Sequence, residues 1–311
     1  MKWIKKGIIL SETIAKENGI CNPQVPYGVV INNSLRIFFG ARYENDKSAS
    51  IFSMDVDIDN PSNIKKISTK PLISKGEPGY FDEDGVLPVA IKQIDDKLYM
   101  FYGGFSKCIS HPHFCMMGLA ISNKSGDNFE KYSNGPILPI SKVDPLLIGS
   151  ADIHFHNNLY HMIYTSGTKW IKNESNLELC YNLKYAYSIN GIDWNPTGKF
   201  CVTNIDSKYA IAKPAIFKIK NEFYMIFSRR STLNYRDNIN DTYRLLTAKS
   251  NDLIKWRVTN DIENLELSKT GWDSEMICYP NVINVNNRYI MLYNGNGFGK
   301  TGFGYAELKI Y

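Results

Sequence analysis

One pattern recurs five times along the chain and constrains its fold more than any other feature. Each copy is an apolar segment, a short polar turn and an aromatic-rich segment: residues 23–30 with 35–40, 88–94 with 98–102, 153–155 with 159–164, 214–219 with 223–227, and 280–285 with 288–293. Measured from Pro23 to Pro88, Asp152, Pro214 and Pro280, the period is 62 to 66 residues. The turns are Asn32-Asn33, Asp95-Asp96, Asn157-Asn158, Asn221 and Asn286-Asn287. Such residues tolerate positive φ, as tight β-hairpins require. A fixed period of this kind marks a repeat architecture, in which neighbouring units bury each other's apolar faces.

The second half of each unit repeats as well. Strands are expected at 117–122, 183–188 and 243–250, each followed by a polar turn and an aromatic, Phe129, Trp194 or Trp256. The last unit ends with 304–311, which matches only a third strand; its fourth lies at the other end of the chain, where residues 3–10 match 129–138 and 194–202. No segment of 11 residues or more has a helical period, so a helical solenoid is a poor rival. The pattern predicts an all-β, five-bladed β-propeller of four antiparallel strands per blade, with the N-terminal strand closing the last blade. The blades are placed at roughly 13–75, 76–141, 142–205, 206–268, and 269–311 plus 1–12, as one domain.

Composition bounds the function. The 311 residues carry 36 Lys and Arg against 31 Asp and Glu, a formal charge of +5 without the basic stripe of a nucleic-acid binder. No run approaches a membrane span, and the short apolar stretch after Met1-Lys2-Trp3 lacks the form of a signal peptide, so a cytoplasmic location is expected. Cys21, Cys108, Cys115, Cys180, Cys201 and Cys278 lie far apart without a Cys-x-x-Cys, which fits free thiols.

In a propeller the starts of the inner strands converge on one axial cavity. The residues brought there are Asn22 and Gln24; Asp82, Glu83 and Asp84; Ser150, Asp152 and His154; Lys213; and Asp273, Glu275 and Tyr279. Crowded carboxylates have their pKa values pushed apart, which yields one protonated acid and one ionised base. Asp84 and Glu275 are the candidate acid and base or nucleophile, with Asp152 tuning them. The alternatives are a solvated turn for 82–84 and a structural bridge from Asp152 to Lys213. Lys213, Arg229, Arg230 and Lys300 are candidates to hold a carboxylate or phosphate. Trp170 and Trp272 are candidates to stack on sugar rings. His111, His113, His154 and His156 lack ligand spacing, so no metal is assigned. The glycine-rich run 294–304 leads from strand to strand without a helix, so it reads as a tight hairpin rather than a nucleotide loop, and no cofactor is expected.

These segments also carry a resemblance. The five-bladed layout resembles the fold of glycoside hydrolase families 32, 43, 68 and 117. Phe81-Asp-Glu-Asp-Gly-Val-Leu-Pro88, Gly118-Leu-Ala-Ile-Ser122, Ser166-Gly-Thr-Lys-Trp170, Gly271-Trp-Asp-Ser-Glu-Met-Ile-Cys-Tyr-Pro280 and 293–304 resemble glycosidase-like propellers often associated with bacterial surface-polysaccharide genes. The resemblance covers essentially the whole chain. It implies a glycoside hydrolase or transglycosidase acting on a small or activated glycan; Asn22, Glu83, Trp170, Lys213, Arg230, Trp272, Tyr279 and Lys300, by their own positions and chemistry, are the candidates to bind that substrate. In family 43 an Asp before the first-strand proline serves as base; here that position is read as Asn22, which cannot take a proton from water. The alternative is a non-hydrolytic sugar-binding or sugar-modifying protein of intracellular polysaccharide assembly, with a carbohydrate or sugar nucleotide as its partner. A protein-interaction platform is a third reading.

Overall fold

The computed structural model describes residues 1–172 and 177–311. They form five four-stranded antiparallel sheets arranged as propeller blades. The inner strands are Ile20–Ile31, Gly85–Ile94, Ile148–His156, Tyr209–Ile219 and Cys278–Val285, here blades I to V. The second strands follow through tight turns at Ser34–Tyr43, Lys97–Lys107, Leu159–Lys172, Glu222–Ser231 and Arg288–Asn294. In three of these turns both central asparagines sit at positive φ: Asn32 and Asn33, Asn157 and Asn158, Asn286 and Asn287. In blade IV it is Lys220, not Asn221, that takes the left-handed conformation, at φ 54.

The chain closes on itself as its repeat predicts. Lys2–Ser11 is the outer strand of blade V and pairs with Gly302–Lys309, Trp3 opposite Leu308 and Leu10 opposite Phe303. Trp3 is buried between blades V and IV, edge-on to Phe217 with ring centroids 6.1 Å apart. The six-residue helix Glu12–Glu17 then carries the chain inward to blade I, capped by Ser11, whose Oγ accepts from Ile14 N at 3.2 Å.

Three blades share a buried pin. Asp82, Asp144 and Asp273, each before an inner strand, accept from the Tyr exactly one hairpin later: Tyr102 at 3.3 Å, Tyr164 at 2.9 Å and Tyr293 at 3.0 Å. A lysine completes each: Lys131 at 2.6 Å, Lys184 at 3.0 Å and Lys5, from the closing strand, at 2.7 Å. Burial and the facing carboxylate raise all three tyrosine pKa values, so these phenols stay protonated donors. The acids that convergence places near the axis thus include two, Asp82 and Asp273, that fasten loops to their own blades.

Candidate active site

Every inner strand is interrupted at the same level. The ladder to the second strand shifts between Gln24 and Tyr27, Pro88 and Ala90, Ile148 and Ala151, Ala212 and Ala215, and Cys278 and Asn281. These are β-bulges, which re-aim side chains and favour sites of function. Three carry an X-Pro pair, Val25-Pro26, Lys213-Pro214 and Tyr279-Pro280, with X at φ 54, 52 and 56. Proline fits there because a bulge residue owes no N–H to the ladder. The N–H groups of X are satisfied across blades: Val25 donates to Asn294 Oδ1 at 2.8 Å, Lys213 to Ser150 Oγ at 3.0 Å, and Tyr279 to Ser228 Oγ at 3.0 Å.

This layer corrects one alignment. The structural equivalent of Pro214 and Pro280 in blade I is Pro26, not Pro23. Asn22 therefore lies three residues too early to meet the axis; its N–H donates to Glu12 Oε2 at 2.9 Å, and it does not line the cavity. Gln24 and Val25 do.

Beyond the bulges the axis opens into a cavity of about 500 Å³, within the range of small-molecule sites. Val25, Val89, Gly149, Ser150, Lys213 and Tyr279 line it from the bulge layer. Its wall rises from the long second and third strands of blade III and from blade IV, through Trp170, Glu178, Tyr181, Arg230, Tyr235, Arg236 and Tyr243.

Arg230 organises that wall. It is 1% exposed, and its Nε donates to Tyr181 Oη at 2.7 Å, Nη2 to the Leu179 carbonyl at 2.6 Å and Nη1 to that of Ser231 at 2.8 Å. Its guanidinium lies 3.7 Å from the Tyr235 ring centroid, a cation–π contact. Tyr181 and Tyr243 share a hydrogen bond through their hydroxyls. Burial holds the Tyr243 pKa well above its ordinary value, so Tyr243 keeps its proton. Glu178 accepts from Tyr235 Oη at 2.7 Å and from Arg236 Nε at 3.1 Å. Trp170 stacks on His111 with centroids 5.3 Å apart, and burial lowers the pKa of the neighbouring His113, keeping it neutral. Gln24, with its amide oriented by its neighbours, accepts from Arg42 Nη1 at 2.9 Å and donates to the Phe298 carbonyl at 3.0 Å.

Of the residues expected around the substrate, Trp170, Lys213, Arg230 and Tyr279 line this cavity. Asp84, Glu275 and Asp152 do not. Asp84 is turned outward and clasps Lys107, accepting from its backbone N–H at 2.7 Å and its Nζ at 2.9 Å, contacts that hold the carboxyl below its usual range. Glu83 accepts from Gly79 N at 2.7 Å within the same turn. The reading of 82–84 as converging acids thus gives way to one buried pin and a surface turn. Glu275 is exposed; its segment is held instead by backbone bonds from Glu275 N and Met276 N to Asn296 Oδ1 at 2.8 and 3.1 Å.

Asp152 lies behind the bulge layer as a bridge between four blades. It pairs with Lys92 at 2.8 Å and accepts from Tyr27 Oη at 3.2 Å and Ile216 N at 2.7 Å. Burial opposes its charge, but Lys92 and His154 outweigh it and lower its pKa. The expected bridge from Asp152 therefore exists, with Lys92 rather than Lys213 as its cation. Trp272 is packed away, stacked on Tyr293 with centroids 5.0 Å apart. A Cβ on Gly304 would come within 2.7 Å of its ring and one on Gly295 within 2.5 Å, which explains two glycines of the hairpin. Lys300 is exposed and outside the lining, whereas Phe298 of the same hairpin reaches the cavity. Among the described residues no group of three or more His, Cys, Asp or Glu side chains is placed to hold a metal ion.

No family model matches the chain. An uncharacterized protein of Mycobacterium tuberculosis is 29% identical over 311 residues, covering 99% of this chain and all of that protein. Among solved structures, a glycoside hydrolase superposes with a TM-score of 0.76 at 15% identity, over 99% of this chain and 92% of the other. A thermostable family-43 glycoside hydrolase gives 0.64 at 13% identity, over 92% and 88%. The chain has a glycosidase-like five-bladed propeller fold. No helix among the described residues is long and apolar enough to cross a membrane.

Proposed function

We propose that the axial cavity takes a saccharide and that the protein binds or modifies it without the two-carboxylate chemistry of a glycosidase. The observation that carries this is the cavity lining: Glu178 is the sole carboxylate among the described residues there, and it is already engaged by Tyr235 and Arg236. Glycosidic cleavage of the usual kind needs two carboxyl groups about 5 to 9.5 Å apart, flanking one bond. The aromatic wall and inward hydrogen-bonding groups suit a sugar, which presents apolar faces and hydroxyl edges. The motif resemblance favours a place in intracellular surface-polysaccharide assembly. The fold likeness favours the rival reading, a hydrolase, and both are tested together. Titration with saccharides and nucleotide sugars, followed by tryptophan fluorescence, is expected to show saturable binding that Trp170→Leu weakens, with aryl glycosides left intact. Aryl-glycoside turnover that Glu178→Gln, Asp84→Asn or Glu275→Gln abolishes would restore the hydrolase.

A further inference from the structure

The cavity is electrically unbalanced. Among the described residues Arg42, Lys213, Arg230 and Arg236 line it against Glu178, so even with the Glu178–Arg236 pair set aside three cations remain without a described carboxylate in the lining. Elsewhere in the interior lysines are matched: Lys92 with Asp152, Lys131 with Asp82 and Lys184 with Asp144, all within 3.0 Å. Lys213 is 1% exposed yet makes no ion pair among the described residues. Its ammonium, which has three donors, makes one hydrogen bond among the described residues, to the Val89 carbonyl at 3.2 Å, and lies 5.2 Å from the Tyr27 ring centroid.

The backbone at Lys213 is arranged at a cost as well. The residue sits at φ 52 in its bulge, a conformation unfavourable for a side chain with a Cβ, and Ser150 and Thr165 hold its N–H there at 3.0 and 3.3 Å. Arg230 directs its donors to the backbone carbonyls of Leu179, Ser231 and Thr232 and to Tyr181, so it shapes the wall. Lys213 retains donors for a ligand. A buried cation is unfavourable unless an anion joins it.

We infer that the saccharide carries an acidic group, a carboxylate or a phosphate, and that Lys213 holds it. This rests on the saccharide reading above and narrows it. The groups facing Lys213 are Asp152, Lys92 and Tyr27, behind the bulge layer, and Asp152 is committed to Lys92. Burial holds the Lys213 amine down to about 8, with Asp152 raising it and Lys92 lowering it. Asp152 stays lowered, Lys92 stays raised and Tyr27 is pushed up to about 12, so none of the three changes charge between pH 7 and 10. A bound anion raises the amine's pKa further. Affinity is therefore level below about pH 8 and falls up to tenfold per unit above it, until the raised pKa is passed.

Calorimetric titration of the full chain with glucose, glucuronate, glucose 1-phosphate, UDP-glucose and UDP-glucuronate tests this. At least one acidic probe is expected to bind ten times or more tighter than glucose, with the pH profile just described, and Lys213→Met is expected to remove that advantage. Preference for glucuronate identifies a carboxylate, and preference for glucose 1-phosphate or the nucleotide sugars a phosphate. Should Lys213→Met fail to fold, the wild-type pH profile decides: an acidic-sugar affinity level through pH 10 overturns the role of Lys213. Glucose binding as tightly as every acidic probe overturns the inference and leaves the saccharide reading standing. No binding to any probe counts against both.

Discussion

Behind the bulges, Asp152 meets Lys92 at 2.8 Å and draws Tyr27 and the Ile216 N–H into one bridge; in front of them, Lys213 lines a cavity in which, among the described residues, four cations face a single carboxylate. The two regions share the inner strands and differ by a few residues of sequence. In the first, each charge has its opposite, and the network ties blades together. In the second, charge is left over beside space. Buried polar groups that are fully satisfied specify a fold, whereas an uncompensated one in a cavity is a claim on something that binds.

The sharpest break of the comparison is at ring closure, on the satisfied side. Removing residues 1–10 takes away the outer strand of blade V, empties the Trp3 site and strips Lys5 from Asp273. Loss of the aromatic alone costs about 3 to 5 kcal/mol, against a total of roughly 5 to 15 kcal/mol for a domain. The truncated chain is expected to be insoluble or to melt far below the intact one; an unchanged melting temperature would mean that the strand contributes little. Next in size is Asp144→Ala, which leaves Lys184 buried without its partner. The expected loss is about 3 to 5 kcal/mol in urea unfolding, and a loss below about 1 kcal/mol would remove the pins from the account.

The unsatisfied side should respond with the opposite sign. Lys213 has a depressed pKa, about 8 against 10.5, so the unfolded chain binds the extra proton between those values and wild-type stability gains from this group as pH rises through that window. At pH 7 the charged amine costs up to about 3 kcal/mol. Lys213→Met is therefore expected to be more stable than wild type at pH 7, with the difference shrinking towards pH 10.5. A mutant less stable at pH 7 would show that Lys213 is already satisfied. The smallest effects belong to Asp84→Asn and Glu275→Gln, outside the cavity, which should leave unfolding free energy within about 0.5 kcal/mol and saccharide binding unchanged.

The sequence makes the ring legible because hairpin turns and inner strands recur at one period, and the incomplete last unit locates residues 3–10 as the closing strand. It also points to Lys213, Arg230, Tyr279 and Trp170. It misplaces the acids because nearness to an inner strand in sequence does not fix direction: Asp82 turns into its blade while Asp84, two residues on, turns outward. A usable signal is present, since Asp82, Asp144 and Asp273 each precede a tyrosine by 20 residues, a repeated offset that marks structure rather than chemistry. Asn22 is misassigned because Pro23 and Pro26 compete for one bulge. Glu178 and Tyr181, on the third strand of blade III, Leu177–Ser188, and Tyr235, Arg236 and Tyr243, in the loop before that of blade IV, Arg244–Ser250, lie outside the inner-strand pattern, and nothing in the period says that these lean over the axis.

The most direct test is a crystal structure of the full chain soaked with the tightest-binding acidic saccharide from the titrations. The account predicts an ordered sugar in the axial cavity, its carboxylate or phosphate oxygen within hydrogen-bond distance of Lys213 Nζ, and Asp82, Asp144 and Asp273 still paired within their blades. A sugar seated outside, between Asp84 and Glu275, or one in the cavity with its acidic group turned away from Lys213, would contradict it.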